Sequence, residues 1–284
     1  MKINNLKTIV FAVFTFVSFS ICAQQLKTPV LSPTQTLKQN FALGEIGIEY
    51  SRPSARGRVV YGEVVPFDKI WRTGANACTK LTFSDKVKVE GNDVPAGTYS
   101  LFTIPGQTEW TIIVNKNAKQ AGTANYKQEE DLVRFKVKPT VLADKIETFT
   151  INVTDITTTS ANIELAWEKT RIAFNVTAAI DSVIMKNIET ALANDTRPYF
   201  SAAGYYYDNG KDLNKALEWS NKAIEQNPKA YYVVHLKAKI QLKLKDYKGA
   251  IATAEQSMAL AKEAKSDEYV KMNEKLIEDA KKGK

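Results

Sequence analysis

Residues 99–114, YSLFTIPGQTEWTIIV, decide how the first half of the chain reads. Tyr99–Ile104 and Trp110–Val114 are rich in aromatic and β-branched side chains, which suit a pleated surface. Pro105-Gly106-Gln107-Thr108 between them is turn chemistry, so the segment reads as a β-hairpin rather than a helix. The same pattern recurs on both sides. Ile46–Tyr50, Lys80–Phe83 and Val87–Glu90 precede it. Val133–Val137, Phe149–Val153, Asn162–Trp167 and Ile172–Val176 follow it. Gly91-Asn92-Asp93 marks a further tight turn. About nine short alternating strands predict an antiparallel all-β sandwich over residues 30–177.

One stretch inside this region departs from the pattern. Residues 50–76, YSRPSARGRVVYGEVVPFDKIWRTGAN, hold Arg52, Arg56, Arg58 and Arg72, four of the chain's arginines, with Trp71 among them. It is too irregular for a helix and too broken by Gly and Pro for one strand. Planar guanidiniums beside aromatic rings suit an anionic or sugar ligand, with Tyr50 or Trp71 as a stacking face. The candidate ligand-binding set is therefore Tyr50, Arg52, Trp71, Arg72 and Asn76, expected to converge. The competing reading makes the arginines internal braces, bonded to backbone carbonyls and to Glu49, Glu63 and Asp68.

The strings YSRPSARGRVVYG, VPFDKIWRTGANACTKLTFS, VPAGTYSLFTIPG and EWTIIVN occur in that order. Through them the region of about residues 30–177 resembles the bacterial domain-of-unknown-function family 2911. The resemblance implies an exported domain and brings no activity, substrate or catalytic residue with it.

After residue 178 the apolar period changes from 2 to 3.6, with Ile180, Val183, Ile184, Ile188 and Leu192 on one helical face. Lys211–Leu217, KDLNKAL, then matches Lys245–Ile251, KDYKGAI, at an offset of 34. Phe200, Gly204, Tyr207, Ala216, Ala223 and Pro228 surround the first copy, and Ala238 and Ala250 sit in frame in the second. This resembles the tetratricopeptide repeat, in which small residues let paired helices approach closely. Residues 179–284 are expected to be an all-α helical-repeat domain of five to seven helices with a terminal cap. By fold analogy such repeats bind a protein or peptide.

The chain opens with Lys2 and Lys7, an apolar run Ile9–Ile21, and Cys22-Ala23-Gln24. That describes a signal peptide over residues 1–23, too short for a membrane span and cleaved after Ala23. Lipoprotein acylation at Cys22 wants a small residue before it and meets Ile21 instead. The expectation is an exported chain, periplasmic or extracellular. Loss of Lys2 and Lys7 lowers the net charge from +8 to +6. The charge is evenly mixed along the chain, unlike the focused basic face of a nucleic-acid binder. Cys78 is then the one cysteine left, so no internal disulfide is expected.

His235 is the single histidine, and it lies in the helical part. The β region therefore lacks the material for Ser-His-Asp catalysis or a His-ligated metal. Nothing in the sequence calls for a cofactor or metal. The remaining catalytic option is a carboxylate pair drawn from Glu63, Asp68, Asp85, Asp93 and Glu109, acting on glycans or peptides. No spacing singles out a pair, so no catalytic residue is assigned. The leading expectation is a non-enzymatic exported binding protein; the alternative is a periplasmic carboxylate hydrolase.

Overall fold

Alternating apolar residues build two antiparallel sheets in the computed structural model, which describes residues 28–194 and 196–283. The expected signal peptide lies outside the described residues. Strands and helices fall into two compact units divided at Val176–Thr177, with the turn Thr157–Ser160 grouped with the helices. The first unit contains β1 (Thr34–Phe41), β2 (Gly44–Ser51), β3 (Ala75–Phe83), β4 (Val87–Val89) and β5 (Asn92–Val94). It continues with β6 (Gly97–Ile104), β7 (Trp110–Asn115), β8 (Asp131–Val137), β9 (Thr140–Thr154) and β10 (Ser160–Thr177). One sheet runs β1-β2-β3-β6-β7-β8 and the other β5-β4-β10-β9. The chain changes sheet across Lys138-Pro139, where proline ends the ladder.

The expected sandwich is present, with ten strands instead of nine. The sequence of β1, TQTLKQNF, has too little apolar alternation to read as a strand. It forms because its whole length pairs with β2, from Thr34 opposite Ser51 to Phe41 opposite Gly44. β5 is also additional. The tight turn lies one residue earlier than expected, at Glu90-Gly91, where φ is +45° and +79°. That pair of positive φ values fits a two-residue hairpin turn, leaving Asn92 in the strand. Asn162–Trp167 and Ile172–Val176 join in the single strand β10, which a bulge at Glu168 bends without breaking.

Leu81 and Phe83 of β3, Leu101 of β6, and Ile112 and Val114 of β7 point inward and are fully buried. Across from them lie Phe149, Ile151, Leu165, Trp167 and Phe174 of β9 and β10. Each such side chain contributes about 1.5–3 kcal/mol. Part of the other face of the six-stranded sheet is covered too. Cys78, Phe102 and Ile113 form a second apolar cluster, packed against Ile70, Ile104 and Tyr126. The connection between β7 and β8 is tied to this outer face through Ser100 Oγ, which donates to the Asn117 carbonyl at 2.8 Å.

The second unit has six helices: α1 (Asp181–Ala193), α2 (Tyr199–Asp208), α3 (Leu213–Gln226), α4 (Tyr231–Lys243), α5 (Tyr247–Glu263) and α6 (Asp267–Lys282). The two matched sequence strings open α3 and α5. Asp212 caps α3 by accepting from the Asn214 and Lys215 amides, and Asp246 caps α5 by accepting from the Gly249 amide. One core gathers Ile188, Ala202, Tyr206, Ala216, Trp219 and Ile240. Another gathers Ala238, Ala250, Ala254, Leu276 and Ala280, where small side chains allow α4, α5 and α6 to lie close together. Among the described residues no helix is long and apolar enough to cross a membrane.

Candidate functional site

The arginine-rich stretch folds over one end of the β unit. Tyr50, at the end of β2, is 2% exposed. Its hydroxyl accepts from the Ile151 amide at 2.8 Å and donates toward Gln35 Oε1 at 3.1 Å. Burial raises the phenol's pKa, while the Ile151 bond and the Arg52 charge oppose that rise. Arg52 is half-buried; its Nε donates to the Phe149 carbonyl at 3.1 Å and one terminal nitrogen to Thr150 Oγ1 at 2.9 Å. Arg58 donates to the Ala55 and Ser54 carbonyls, both at 2.9 Å, and Arg56 to the Leu31 carbonyl at 3.1 Å. Glu147 and Glu168 complete the frame by accepting from the Arg56 and Val60 amides. The bulge in β10, with Glu168 at φ +54°, places that carboxylate.

Trp71 is expected as an open stacking face, but its ring is closed into the interior. It lies 5.2 Å from Phe149 and 6.1 Å from Trp167, nearly parallel to the latter. Its indole N–H donates to the Gly74 carbonyl at 3.0 Å. Gly74 is required there: its φ is +151°, and a Cβ would stand 3.0 Å from the Ser51 carbonyl. Tyr61 joins the same aromatic group at 4.9 Å from Trp110, with its hydroxyl pKa raised first by burial and then by Glu168. The rings of Tyr50 and Trp71 therefore meet protein on the sides a ligand would need.

Of the expected five, Tyr50, Arg52 and Trp71 meet around Phe149. Asn76 sits beside them, donating to Ser32 O at 3.2 Å and to Ser51 Oγ at 3.4 Å. Arg72 goes elsewhere. Trp71 pairs with Thr103, so the next residue turns to the opposite side, where the Arg72 charge acts on the Cys78 thiol. Burial raises that thiol's pKa, and the Arg72 charge and a backbone hydrogen bond at Gly122 only partly offset it. Arg72 Nε and Gln120 Oε1 are the buried side-chain polar atoms without a partner among the described residues. None of Glu49, Glu63 and Asp68 serves as the brace partner of Arg52; the acceptors come from β9, about a hundred residues away. No local sequence signal could have found them.

Three of the five acids considered for catalysis have separate engagements, and Glu63 and Asp68 are exposed. Asp93 pairs with Lys86 and Lys88, Glu109 with Lys136, and Asp85 accepts from Ser84. Among the described residues no three His, Cys, Asp or Glu side chains are grouped to hold a metal ion.

In the helical unit, four of the eight expected packing residues, Ala216, Ala223, Ala238 and Ala250, are buried. Gly204 and Tyr207 are half-buried, and Pro228 is exposed in the turn before α4. Phe200 does not pack inward: it is 40% exposed and lies 5.3 Å from Tyr232, itself 39% exposed. From there rings continue to Tyr231 at 5.6 Å and to Tyr269 at 4.9 Å, crossing α2, α4 and α6. Lys239 and Lys243 stand over the Tyr207 ring at 4.5 and 4.8 Å. In the sequence, the adjacent Tyr231-Tyr232 pair at the start of α4 is the signal that marks this band.

A family model described as "Protein of unknown function (DUF2911)" matches residues 32–176. No curated protein and no solved structure matches the chain.

Proposed function

The chain belongs to the DUF2911 family, whose function is unknown, and from that premise we propose a non-enzymatic interaction protein whose docking element is the helical unit. The observation that carries this reading is the half-exposed aromatic band Phe200–Tyr232–Tyr231–Tyr269 across three helices. Rings of this kind anchor partners at low entropic cost. The helix pairs α2–α3 and α4–α5, capped by aspartates 34 residues apart, are read as tetratricopeptide-like repeats, and the partner as a protein or peptide segment. In the β unit Arg52, Arg56 and Arg58 act as braces, because their donors already serve backbone carbonyls and Thr150, whereas Arg72, with a buried Nε that has no partner, does not. That unit serves as a scaffold for the helical one. The protein is exported, with its mature N-terminus at Gln24.

Photocrosslinkers placed at Tyr232 and, on another helix, at exposed Glu255 test the docking face. A partner captured from cells at Tyr232 and not at Glu255, and lost with Phe200→Ser, supports it. Equal capture at both positions sinks it. The mass of the purified protein's N-terminal peptide tests export, and an acylated Cys22 would overturn the assignment of Gln24.

A further inference from the structure

α4, α5 and α6 are joined by a closed chain of polar groups. Asn273 Nδ2 donates to Ser257 Oγ at 2.9 Å and to the Tyr269 carbonyl at 2.7 Å. Ser257 Oγ in turn donates to the Tyr231 carbonyl at 2.8 Å. The Asn273 amide nitrogen is thus fully engaged, so its oxygen is the acceptor for His235 Nδ1 at 2.8 Å. That fixes the tautomer: Nδ1 carries the hydrogen, and Nε2 is the nitrogen that takes a proton. Asn273 and Ser257 are fully buried and His235 is 6% exposed.

The surroundings suit the neutral ring only. From α6 the Tyr269 ring stands edge-on, 5.4 Å away. Tyr231 of α4 and Glu268 of α6 act on the Tyr269 hydroxyl rather than on the imidazole. α5 contributes Ser257. The charge that His235 feels is Lys239, one turn along α4, and it is repulsive to a proton.

We infer that this cluster is an acid-sensitive latch on α6: proton uptake at His235 Nε2 sets a second cation beside Lys239 in a closed site and releases Asp267–Lys282 from α4 and α5. The imidazole lies below its usual pKa, through burial first and Lys239 last, with the Asn273 bond opposing. A depressed histidine stabilises the closed form above the ordinary pKa of about 6.5, and that contribution is lost as pH falls through the folded value. Because Tyr269 belongs to α6, release also breaks its contact with Tyr231. The latch stands whether or not these helices dock a peptide.

The full chain holds one histidine, so its imidazole signal can be followed by NMR without assignment, alongside hydrogen exchange at pH 7.5 and 5.0 normalised to unstructured peptides. The expected result is a midpoint below the ordinary value, with protection of α6 falling about tenfold for a one-unit depression and by at most about thirtyfold at pH 5.0, while α2 and α3 keep theirs. His235→Asn can still donate to Asn273 but takes no proton, so its α6 protection should not fall with pH. An ordinary or raised midpoint overturns the proposal. So does undiminished α6 protection at pH 5.0, or an equal loss in His235→Asn. If that variant does not fold, the wild-type midpoint and α6 protection decide.

Discussion

The Tyr50 hydroxyl joins β2 to β9 through the Ile151 amide. Tyr50→Phe keeps the ring against Phe149 and strands that amide, so urea melts should show a loss of about 1–3 kcal/mol. The two arginines expected to act together should separate in the same assay. Arg52→Ala removes charged donors from the Phe149 carbonyl and Thr150 and should cost about 1.5–3 kcal/mol. Arg72→Met keeps the apolar stem and removes a buried Nε that has no acceptor, so its effect should stay within about 1 kcal/mol of neutral. An equal loss in both variants would show that Arg72 has an unrecognised partner. The concentration of arginine in residues 50–76 was visible in the sequence, and so was its demand for an internal hydrogen-bond network. Which atoms answer that demand was not, because Phe149, Thr150, Glu147 and Glu168 reach it only through sheet packing.

At the scale of single elements, hairpin chemistry and the 34-residue offset were legible because both are local. β6 and β7 follow from their own residues, and the matched KD pairs mark the caps of α3 and α5. β1 and the continuity of β10 were hidden, since each depends on a neighbouring strand rather than on its own alternation. Asp212→Ala and Asp246→Ala should each cost about 0.5–2 kcal/mol through the lost cap. Gly204 lies inside α2, and a Cβ there would meet Leu236 Cδ2 at an ordinary 3.9 Å. Gly204→Ala should therefore stabilise by about 0.5–1 kcal/mol, since glycine weakens a helix and space is available. Gly204→Leu should instead cost about 1–3 kcal/mol by pressing on Leu236. Thermal melts of the two variants moving in the same direction would show that the α2–α4 contact is misunderstood.

For the molecule as a whole, the division at Val176–Thr177 implies that a chain ending at Val176 melts in one cooperative transition, with near-UV circular dichroism showing fixed aromatic packing. A molten product would mean that the helices complete the β core. The β unit also carries its own clock. Cys78 lies under the β7–β8 connection, with its thiol hydrogen-bonded to Gly122 and its pKa raised. An alkylating reagent needs the thiolate, so in the native protein it must wait for that cover to lift. The alkylation rate at saturating reagent therefore measures how often the outer face opens, and Ser100→Ala, which loosens the cover, should quicken it while the sandwich interior keeps time as before.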